Sequence, residues 1–411
     1  MTTDTEKRVI TEEAGLCARL LAQEEGERVL SPDTPANIPG NAQYAFEAII
    51  PPALSPLPLR IVWPSGKPEE APAGFEYPGN DNFSTVVPEI LFLSRDRRNW
   101  ERIPATERTP EGARLILPPS PESRRLSVGV PFHSWQLEEL YAELEEAPHI
   151  ERRRIGQSAG GRPLYAFVVS PSAATQSGGV FFLQAYQHYS EWAGLHALGE
   201  LLRLFAREPA TAGPFRWALV PCLNVDALYG GWREDPMHNG EDVPGGGNLN
   251  RDWREFHFPE TRAALDFYRS LATESEVLHG LDLHMGWSRR GHSGGGLTVF
   301  EPGTIPKEAA ARERAFTEAF FDRVPIERFP WERSSPERPN FACWMWREFG
   351  RIGQTVEISR FRAFSREGEA RSVSQSYYES LGPALADALT AFHAHSPRAE
   401  RQPWNPSRTP D

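Results

Sequence analysis

Two apolar runs that lead into histidines constrain the fold of this chain more than any other feature. The first run, Val180–Ala185, precedes His188 and gives way to a helical pattern of leucines, so we interpret it as a buried strand. The second run, Val277–His284, ends in a histidine itself. Strands that alternate with helices predict an open α/β sheet, in which ligands bind at the carboxyl ends of the strands. Both histidines are therefore expected at a ligand-binding edge.

Carboxylates near these histidines favour a metal site. Glu191 lies three residues after His188, and such a pair with a later histidine can bind one zinc ion and leave its fourth position open to water. Glu191 alone would also suit the first turn of a helix. Glu357 ends a third short run, Gly353–Glu357, where a buried carboxylate is costly without a task or a partner. The position of these residues at strand ends favours the zinc site.

The order of these residues resembles that of the zinc metallocarboxypeptidase family, over about residues 135 to 395. Between the first pair and the second histidine the chain contains four further residues in the family's order, namely Asn224 after a strand, Arg233 in a Gly-Trp-Arg motif, and the neighbours Asn250 and Arg251. The resemblance implies an α/β fold in which a mixed open sheet is flanked by helices. It also implies a hydrolase that removes C-terminal amino acids from peptides or protein tails.

The resemblance implies a role for each residue at the sheet edge. His188, Glu191 and His284 would be the ligands of one zinc ion per chain. Glu357 would be the general base that takes a proton from the zinc-bound water and later delivers it to the leaving amine.

The arginines and the asparagine would handle the substrate. By the same resemblance, Arg233 would polarise the scissile carbonyl and stabilise the oxyanion, although an ordinary surface-loop arginine fits this spacing as well. Asn250 and Arg251 would bind the terminal carboxylate of the substrate, for which the bidentate fork of a guanidinium is suited.

The chain departs from the family pattern at three places. Residues 285 to 356 contain no tyrosine, whereas the family commonly has one there that folds over the substrate. Asn248 stands where an aspartate usually orients the first zinc histidine, and Ser190 stands where digestive members have an arginine. Candidates for an aromatic wall that replaces the tyrosine are Trp331, Phe341, Trp344 and Trp346, for which packing in the core is the alternative.

The chain is long enough for more than one hydrophobic core, and we divide it into four segments. They are a helical or irregular extension at 1–40, a smaller antiparallel β domain at 41–133, the catalytic domain at 134–395 and a disordered tail at 396–411. The extension contains an acidic, amphipathic helix candidate around Thr11 to Val29.

The β domain carries a second, weaker resemblance. The run Ile90–Ser94, the basic segment after it and the entry into a helix at Ser134 look like the β-domain of cytosolic carboxypeptidases, which shorten acidic protein tails. We therefore expect this chain to lie nearest to that branch of the family.

Composition limits the partners and the compartment. The net charge of −12 argues against a general nucleic-acid role, because phosphate binding needs a basic face. No run of about 18 apolar residues or signal-peptide pattern occurs, so no membrane partner is expected. The three cysteines, odd in number and far apart, fit a reducing compartment and predict a cytoplasmic protein.

Two alternatives to a carboxypeptidase stay open. Zinc-dependent deacylases of N-acyl amino acids resemble the same fold and share the HxxE, Asn-Arg and late histidine motifs, but they are normally shorter and lack the amino-terminal β domain. A non-catalytic peptide-binding relative is the other alternative. Such relatives usually lose a ligand or the catalytic glutamate, and both are present in this chain.

Overall fold

The computed structural model describes most of the chain, including all of the predicted edge residues. The described ranges are 18–24, 27–32, 47–62, 90–109, 112–171, 178–236, 247–286, 295–328, 330–360, 362–364 and 370–395. The predicted tail at 396–411 lies outside them. The described residues form a large mixed sheet flanked by helices, with smaller sheets in the amino-terminal part.

The amino-terminal part contains two small sheets. Their strands are β1 (Ala18–Glu24), β2 (Glu27–Pro32), β3 (Glu47–Ile50), β4 (Leu57–Val62), β5 (Ile90–Ser94), β6 (Glu101–Pro104), β7 (Glu107–Thr109), β8 (Gly112–Leu117) and β9 (Arg124–Ser127). One sheet has the order β1-β2-β4-β8-β7 and the other β3-β9-β5-β6. Apolar residues alternate along β4 and β8, and they pack with residues of the second sheet into one core.

The helix predicted around Thr11 to Val29 is wrong over its described part. Residues 18–24 and 27–32 instead form the antiparallel strands β1 and β2, and β2 pairs in parallel with β4 while the other neighbouring strands are antiparallel. Helical periodicity depends only on the chain's own local sequence, whereas β2 is stabilised by backbone hydrogen bonds to a strand about 30 residues away. Residues 18–24 and 27–32 therefore belong to the β-rich part.

The large sheet has eight strands in the described residues. They are β10 (Ile150–Gln157), β11 (Pro163–Val169), β12 (Val180–Ala185), β13 (Arg216–Val220), β14 (Val277–Gly286), β15 (Gly296–Phe300), β16 (Pro330–Ser334) and β17 (Gly353–Ser359). Their order is β10-β11-β13-β12-β14-β17-β15-β16. The four central strands β13, β12, β14 and β17 run parallel, and antiparallel pairs occur nearer the edges. A short hairpin, β18 (Arg362–Phe364) and β19 (Ala370–Ser372), follows.

Helices cover both faces of the large sheet. They are α1 (Ser134–Leu144), α2 (Ala193–Arg207), α3 (Val225–Gly230), α4 (Pro259–Glu274), α5 (Lys307–Phe321), α6 (Phe341–Phe349) and α7 (Gln375–His395). On one face, α1, α2, α5 and α7 pack against the sheet in the largest apolar core. On the other face, α4 and α6 form a second core. The central strands are thus buried on both sides, which explains their continuous apolar runs.

The predicted fold class is confirmed. Val180–Ala185 and Ile90–Ser94 are strands with the predicted limits, and α1 begins at the predicted Ser134. The mixed α/β sheet is preceded by a smaller, largely antiparallel β region. Cys222 and Cys343 are both buried, and Cys17 lies outside the described residues. None of the described helices has both the length and the hydropathy needed to cross a bilayer.

A buried polar cluster joins the β region to the large domain. Glu47 of β3 is 2% exposed and lies 3.3 Å from Arg97 and 3.5 Å from Arg125. Its second oxygen is 3.4 Å from Nε2 of His133, the residue that caps α1. Burial, with Arg97 and Arg125 nearby, lowers the pKa of His133 to about 3, so this ring is neutral at neutral pH. The carboxylate of Glu47 thus lies between arginines of the β region and the residue that precedes α1.

The carboxyl group of Glu313 in α5 is buried, and its protonation should affect the stability of the fold. Its Oε1 accepts a hydrogen bond from the backbone N–H of Phe300, at 3.0 Å, and burial raises its pKa to about 7 from an ordinary value of 4.5. A raised carboxyl pKa means that the folded state binds the proton more tightly than the unfolded state. Stability is therefore expected to fall as the pH rises from about 4.5 to about 7.

Glu313→Gln keeps the acceptor oxygen and removes the charge. We predict thermal stability similar to the wild type at pH 5 and higher than the wild type at pH 8, by up to about 3 kcal/mol at 1.4 kcal/mol per pKa unit. The matched control is Glu308→Gln, at an exposed position of the same helix. Equal pH dependence of unfolding for wild type and Glu313→Gln would contradict this assignment.

Candidate metal centre

The register of the central strands brings the predicted residues to one edge of the sheet. In the pairing of β14 with β17, His284 lies directly opposite Glu357. On its other side β14 pairs with β12, whose last residue Ala185 lies opposite Leu283. Because all three strands are parallel, the loop after β12 emerges beside His284, and this loop carries His188.

The loop from Tyr186 to Glu191 has an unusual backbone that is held by side chains. Tyr186 has φ of 58° and Ser190 has φ of 68°, a left-handed conformation that is uncommon for such residues. Asn224 donates from Nδ2 to the carbonyl of Gln187, at 3.1 Å, and Arg360 donates to the carbonyl of Ser190, at 3.0 Å. Strained backbone of this kind persists where surrounding contacts determine it, and such positions cluster at functional sites.

Three donor groups converge where the loop meets β14. Nδ1 of His188 is 3.3 Å from one carboxylate oxygen of Glu191, and Nδ1 of His284 is 2.9 Å from the other. One ligand atom from each residue lies within 4.8 Å of the others. Bond lengths of about 2.0 Å in a tetrahedral zinc site place neighbouring donors roughly 3.3 Å apart. The residues therefore fit a single metal ion in both chemistry and spacing.

Each histidine has a hydrogen-bond acceptor at its other ring nitrogen. Nε2 of His188 lies 2.9 Å from Oδ1 of Asn248, as the sequence predicted for the residue that replaces an aspartate. Nε2 of His284 lies 2.9 Å from a carboxylate oxygen of Asp282. Acceptors at Nε2 keep a proton there and leave Nδ1 free to bind a metal.

The charges of the carboxylates and the histidines shift one another's pKa at this site. Burial opposes ionisation of Glu191, but His188 and His284 hold the pKa of its carboxyl well below the usual range. Burial also disfavours protonation of His284, but the carboxylates of Asp282 and Glu191 raise its pKa well above its ordinary value. Negative charge is therefore concentrated around the two imidazoles.

Glu357 is ready to exchange a proton near neutral pH. The residue is half-buried and lies beside His284 in the neighbouring strand. Burial raises its pKa to about 7, with a further contribution from Glu191, against the opposing effect of His284 and His188. A carboxyl group of this pKa can accept and return a proton, as a general base requires.

Asn250 lies at the same edge and has an unused polar group. Its amide nitrogen is 3.3 Å from Nε2 of His284, and its amide oxygen has no hydrogen-bond partner among the described residues. Because Nε2 of His284 donates to Asp282, the amide rotated by 180° suits this contact better, with its oxygen toward the ring. In this rotated orientation, the NH₂ group of Asn250 is available to bind a ligand.

Of the two arginines predicted for the site, the structure describes the side chain of Arg251 but only the backbone of Arg233. Arg251 ends the 3₁₀ turn Leu249–Arg251, and its guanidinium donates to the carbonyl of Asn250, at 2.9 Å. The turn is capped by Asn248, whose Oδ1 accepts from the N–H of Asn250. Arg233 lies in the 3₁₀ turn Gly231–Glu234, but its side chain is outside the described part of the structure.

The described candidates for an aromatic wall are core residues, which was the alternative interpretation of the sequence. Phe341 and Trp344 pack around Trp253 on the far face of the sheet, and Trp346 lies in a separate apolar cluster. The side chain of Trp331 lies outside the described residues.

Sequence reasoning missed the polar residues behind the histidines. Gln187 donates to Asp282 from Nε2, at 2.6 Å, and its amide oxygen accepts from the indole N–H of Trp253, at 2.9 Å. The available signal was the spacing of Asp282, two residues before His284, because alternate residues of a strand share a face.

Comparisons with known proteins show which proteins share the fold of this chain. A family model for zinc carboxypeptidases matches residues 137–286. No curated protein sequence gives a match. A metallo-carboxypeptidase from Pseudomonas aeruginosa, in complex with (2-guanidinoethylmercapto)succinic acid, has a TM-score of 0.70 at 16% identity, over 94% of this chain and 96% of that chain. A metallo-carboxypeptidase from Burkholderia cenocepacia has a TM-score of 0.67 at 16% identity, over 93% of this chain and 97% of that chain.

The structural likeness extends over the amino-terminal β region as well as the large domain, because it covers more than nine tenths of the chain. At 16% identity it shows a shared fold. The placement nearest to the cytosolic branch stays a prediction. The chain thus resembles the zinc carboxypeptidases over residues 137–286, and nearly its whole length has the fold of the metallocarboxypeptidases.

Proposed function

We propose that this protein is a zinc-dependent metallocarboxypeptidase that removes C-terminal amino acids from peptides or protein tails. The observation that carries the proposal is the convergence of His188, Glu191 and His284 beside Glu357 at the carboxyl edge of the sheet. Zinc is the metal that best suits two imidazoles and one carboxylate in an open tetrahedral site.

A zinc ion bound by these residues would supply Lewis acidity, which polarises a carbonyl and activates water. The protein's own part is to hold the three donors at fixed spacing. Nδ1 of each histidine faces Glu191, and the acceptors Asn248 and Asp282 fix the orientation of the rings. Little reorganisation is then needed when the metal binds.

Glu357 is the proposed general base. It takes the proton from the water that attacks the scissile carbonyl and delivers it to the departing amine nitrogen when the C–N bond breaks. Its position opposite His284 supports this role. Arg233 is proposed to stabilise the negative charge that develops on the carbonyl oxygen.

The terminal carboxylate of the substrate is proposed to bind at Asn250 and Arg251. The available NH₂ group of Asn250 and the guanidinium of Arg251 are donors, and both belong to the turn next to the metal ligands. The Pseudomonas aeruginosa enzyme forms a complex with a substituted succinic acid, a compound that carries carboxylates. A pocket that binds the terminal carboxylate would direct cleavage to the C-terminal end of the substrate.

The first prediction concerns the metal. The purified protein is expected to bind about one zinc ion per chain, and His284→Ala is expected to lose it because two donors hold zinc poorly. His279→Gln is the matched control, since His279 lies on the same strand but packs against Phe316 in the core. Elemental analysis after zinc loading and gel filtration measures both. Wild-type protein without zinc, or zinc retained by His284→Ala, would contradict the proposed ligands.

The second prediction concerns the base. Glu357→Gln preserves the shape of the side chain and removes the proton acceptor. We expect zinc content to be unchanged and kcat on a free-acid peptide to fall by roughly 10²-fold or more, the usual contribution of a general base. Steady-state kinetics with zinc quantified in the same sample provides the measurement. Equal kcat values for the two proteins would exclude this role.

The third prediction separates an exopeptidase from other amide hydrolases. Free-acid peptides are expected to be shortened one residue at a time from the C-terminus, and their amidated forms to be cleaved poorly. Loss of a partner for a buried charge costs roughly 2 to 5 kcal/mol, so Arg251→Ala should abolish most of the preference. Arg254→Ala is the control, because Arg254 is exposed and pairs with Glu337.

Mass spectrometry of the products from one peptide in both forms provides the measurement. Internal cleavage, equal cleavage of the two forms, or activity confined to N-acyl amino acids would rule out the carboxypeptidase and leave another hydrolase on the same metal site.

A further inference from the structure

We propose that Asp282 is a positioning residue that supplies the negative charge behind the metal centre, through His284, while the partner of His188 supplies none. The inference rests on the proposed metal site and extends it, because it makes the two histidine ligands unequal. It predicts that metal affinity depends on Asp282 more than on any other residue that does not itself bind the metal.

The position of Asp282 follows from the strand. It lies two residues before His284 in β14, so the two side chains project from the same face. Asp282 is fully buried, and its Oδ2 lies 2.9 Å from Nε2 of His284. No lysine or arginine among the described residues forms an ion pair with Asp282. Its charge therefore acts on His284.

A chain of amides holds the carboxylate in place. Gln187 donates to Oδ2 at 2.6 Å, and Gln184 donates to Oδ1 at 3.3 Å. Gln187 is fixed in turn by the indole N–H of Trp253, at 2.9 Å. These partners are neutral donors, so they orient the carboxylate without adding a positive charge beside it.

The partner of His188 is neutral, whereas the partner of His284 is a carboxylate, but both lie at the same distance from their histidine. Oδ1 of Asn248 lies 2.9 Å from Nε2 of His188, the same distance as in the Asp282 pair. An amide oxygen fixes the ring and its tautomer, as a carboxylate does, but adds no charge. A carboxylate also increases the basicity of the imidazole, so His284 becomes the stronger ligand.

The experiment moves the carboxylate from the partner of His284 to the partner of His188. Zinc dissociation constants would be measured by competition with a chromogenic chelator for wild type, Asp282→Asn, Asn248→Asp and the double variant. Asp282→Asn keeps the shape and is expected to weaken zinc binding by roughly 10- to 100-fold. Asn248→Asp is expected to tighten it, and the double variant is expected to recover most of the loss.

Asp226→Asn is the matched control. Asp226 is also a buried carboxylate, but it bonds to Ser158, Gly160 and Arg162 and contacts neither histidine. Its loss should leave zinc affinity within about threefold of wild type, well below the change expected for a residue that orients a ligand. Thermal unfolding of each variant without zinc reports whether the fold is intact.

Equal zinc affinity for wild type and Asp282→Asn would overturn the inference and leave the metal site standing. An equal loss in the Asp226→Asn control would overturn it as well, since any buried charge would then suffice. If Asp282→Asn does not fold, Asn248→Asp decides alone, and unchanged or weaker binding in that variant contradicts the charge argument. Absence of zinc binding in the wild type would instead overturn the proposed function itself.

Discussion

The parallel register of three central strands is the constraint on which the candidate site depends. Pairing of β14 with β17 sets His284 opposite Glu357, and pairing with β12 brings the loop with His188 and Glu191 to the same edge. A shift of one residue in either pairing would turn a side chain to the opposite face. The apolar cores on both faces of the sheet fix the register, so packing far from the edge determines the chemistry at it.

Charge is the second constraint, because Glu191, Asp282 and Glu357 all lie near His188 and His284. Asp282 and Glu191 raise the pKa of His284, and the two histidines hold the pKa of Glu191 below its usual range. Buried charges of one sign are costly unless an opposite charge accompanies them. A divalent cation at the converging donors would offset this negative charge. Burial, with a further contribution from Glu191, raises the pKa of Glu357 toward neutrality, which suits a base.

The sequence predicted what depends on local pattern and order along the chain. The strand ends and the convergence of the candidate metal ligands follow from apolar runs and motif spacing, and the contact of Asn248 with His188 follows from the family resemblance. The parallel pairing of β2 with β4 and the Gln187–Asp282–His284 network do not, because long-range contacts determine them. The sequence also left open whether Phe341, Trp344 and Trp346 form a substrate wall or core, and they are core residues, because composition alone cannot tell which face of a helix is buried.

An anomalous difference map from zinc-loaded crystals, recorded at the zinc absorption edge, tests the central claim most directly. The account predicts one peak per chain, within about 2.0 to 2.2 Å of Nδ1 of His188, Nδ1 of His284 and a carboxylate oxygen of Glu191. It further predicts that Nε2 of both rings keeps its present partners, Asn248 and Asp282. A peak elsewhere, or ligation through Nε2 of either ring, would contradict it.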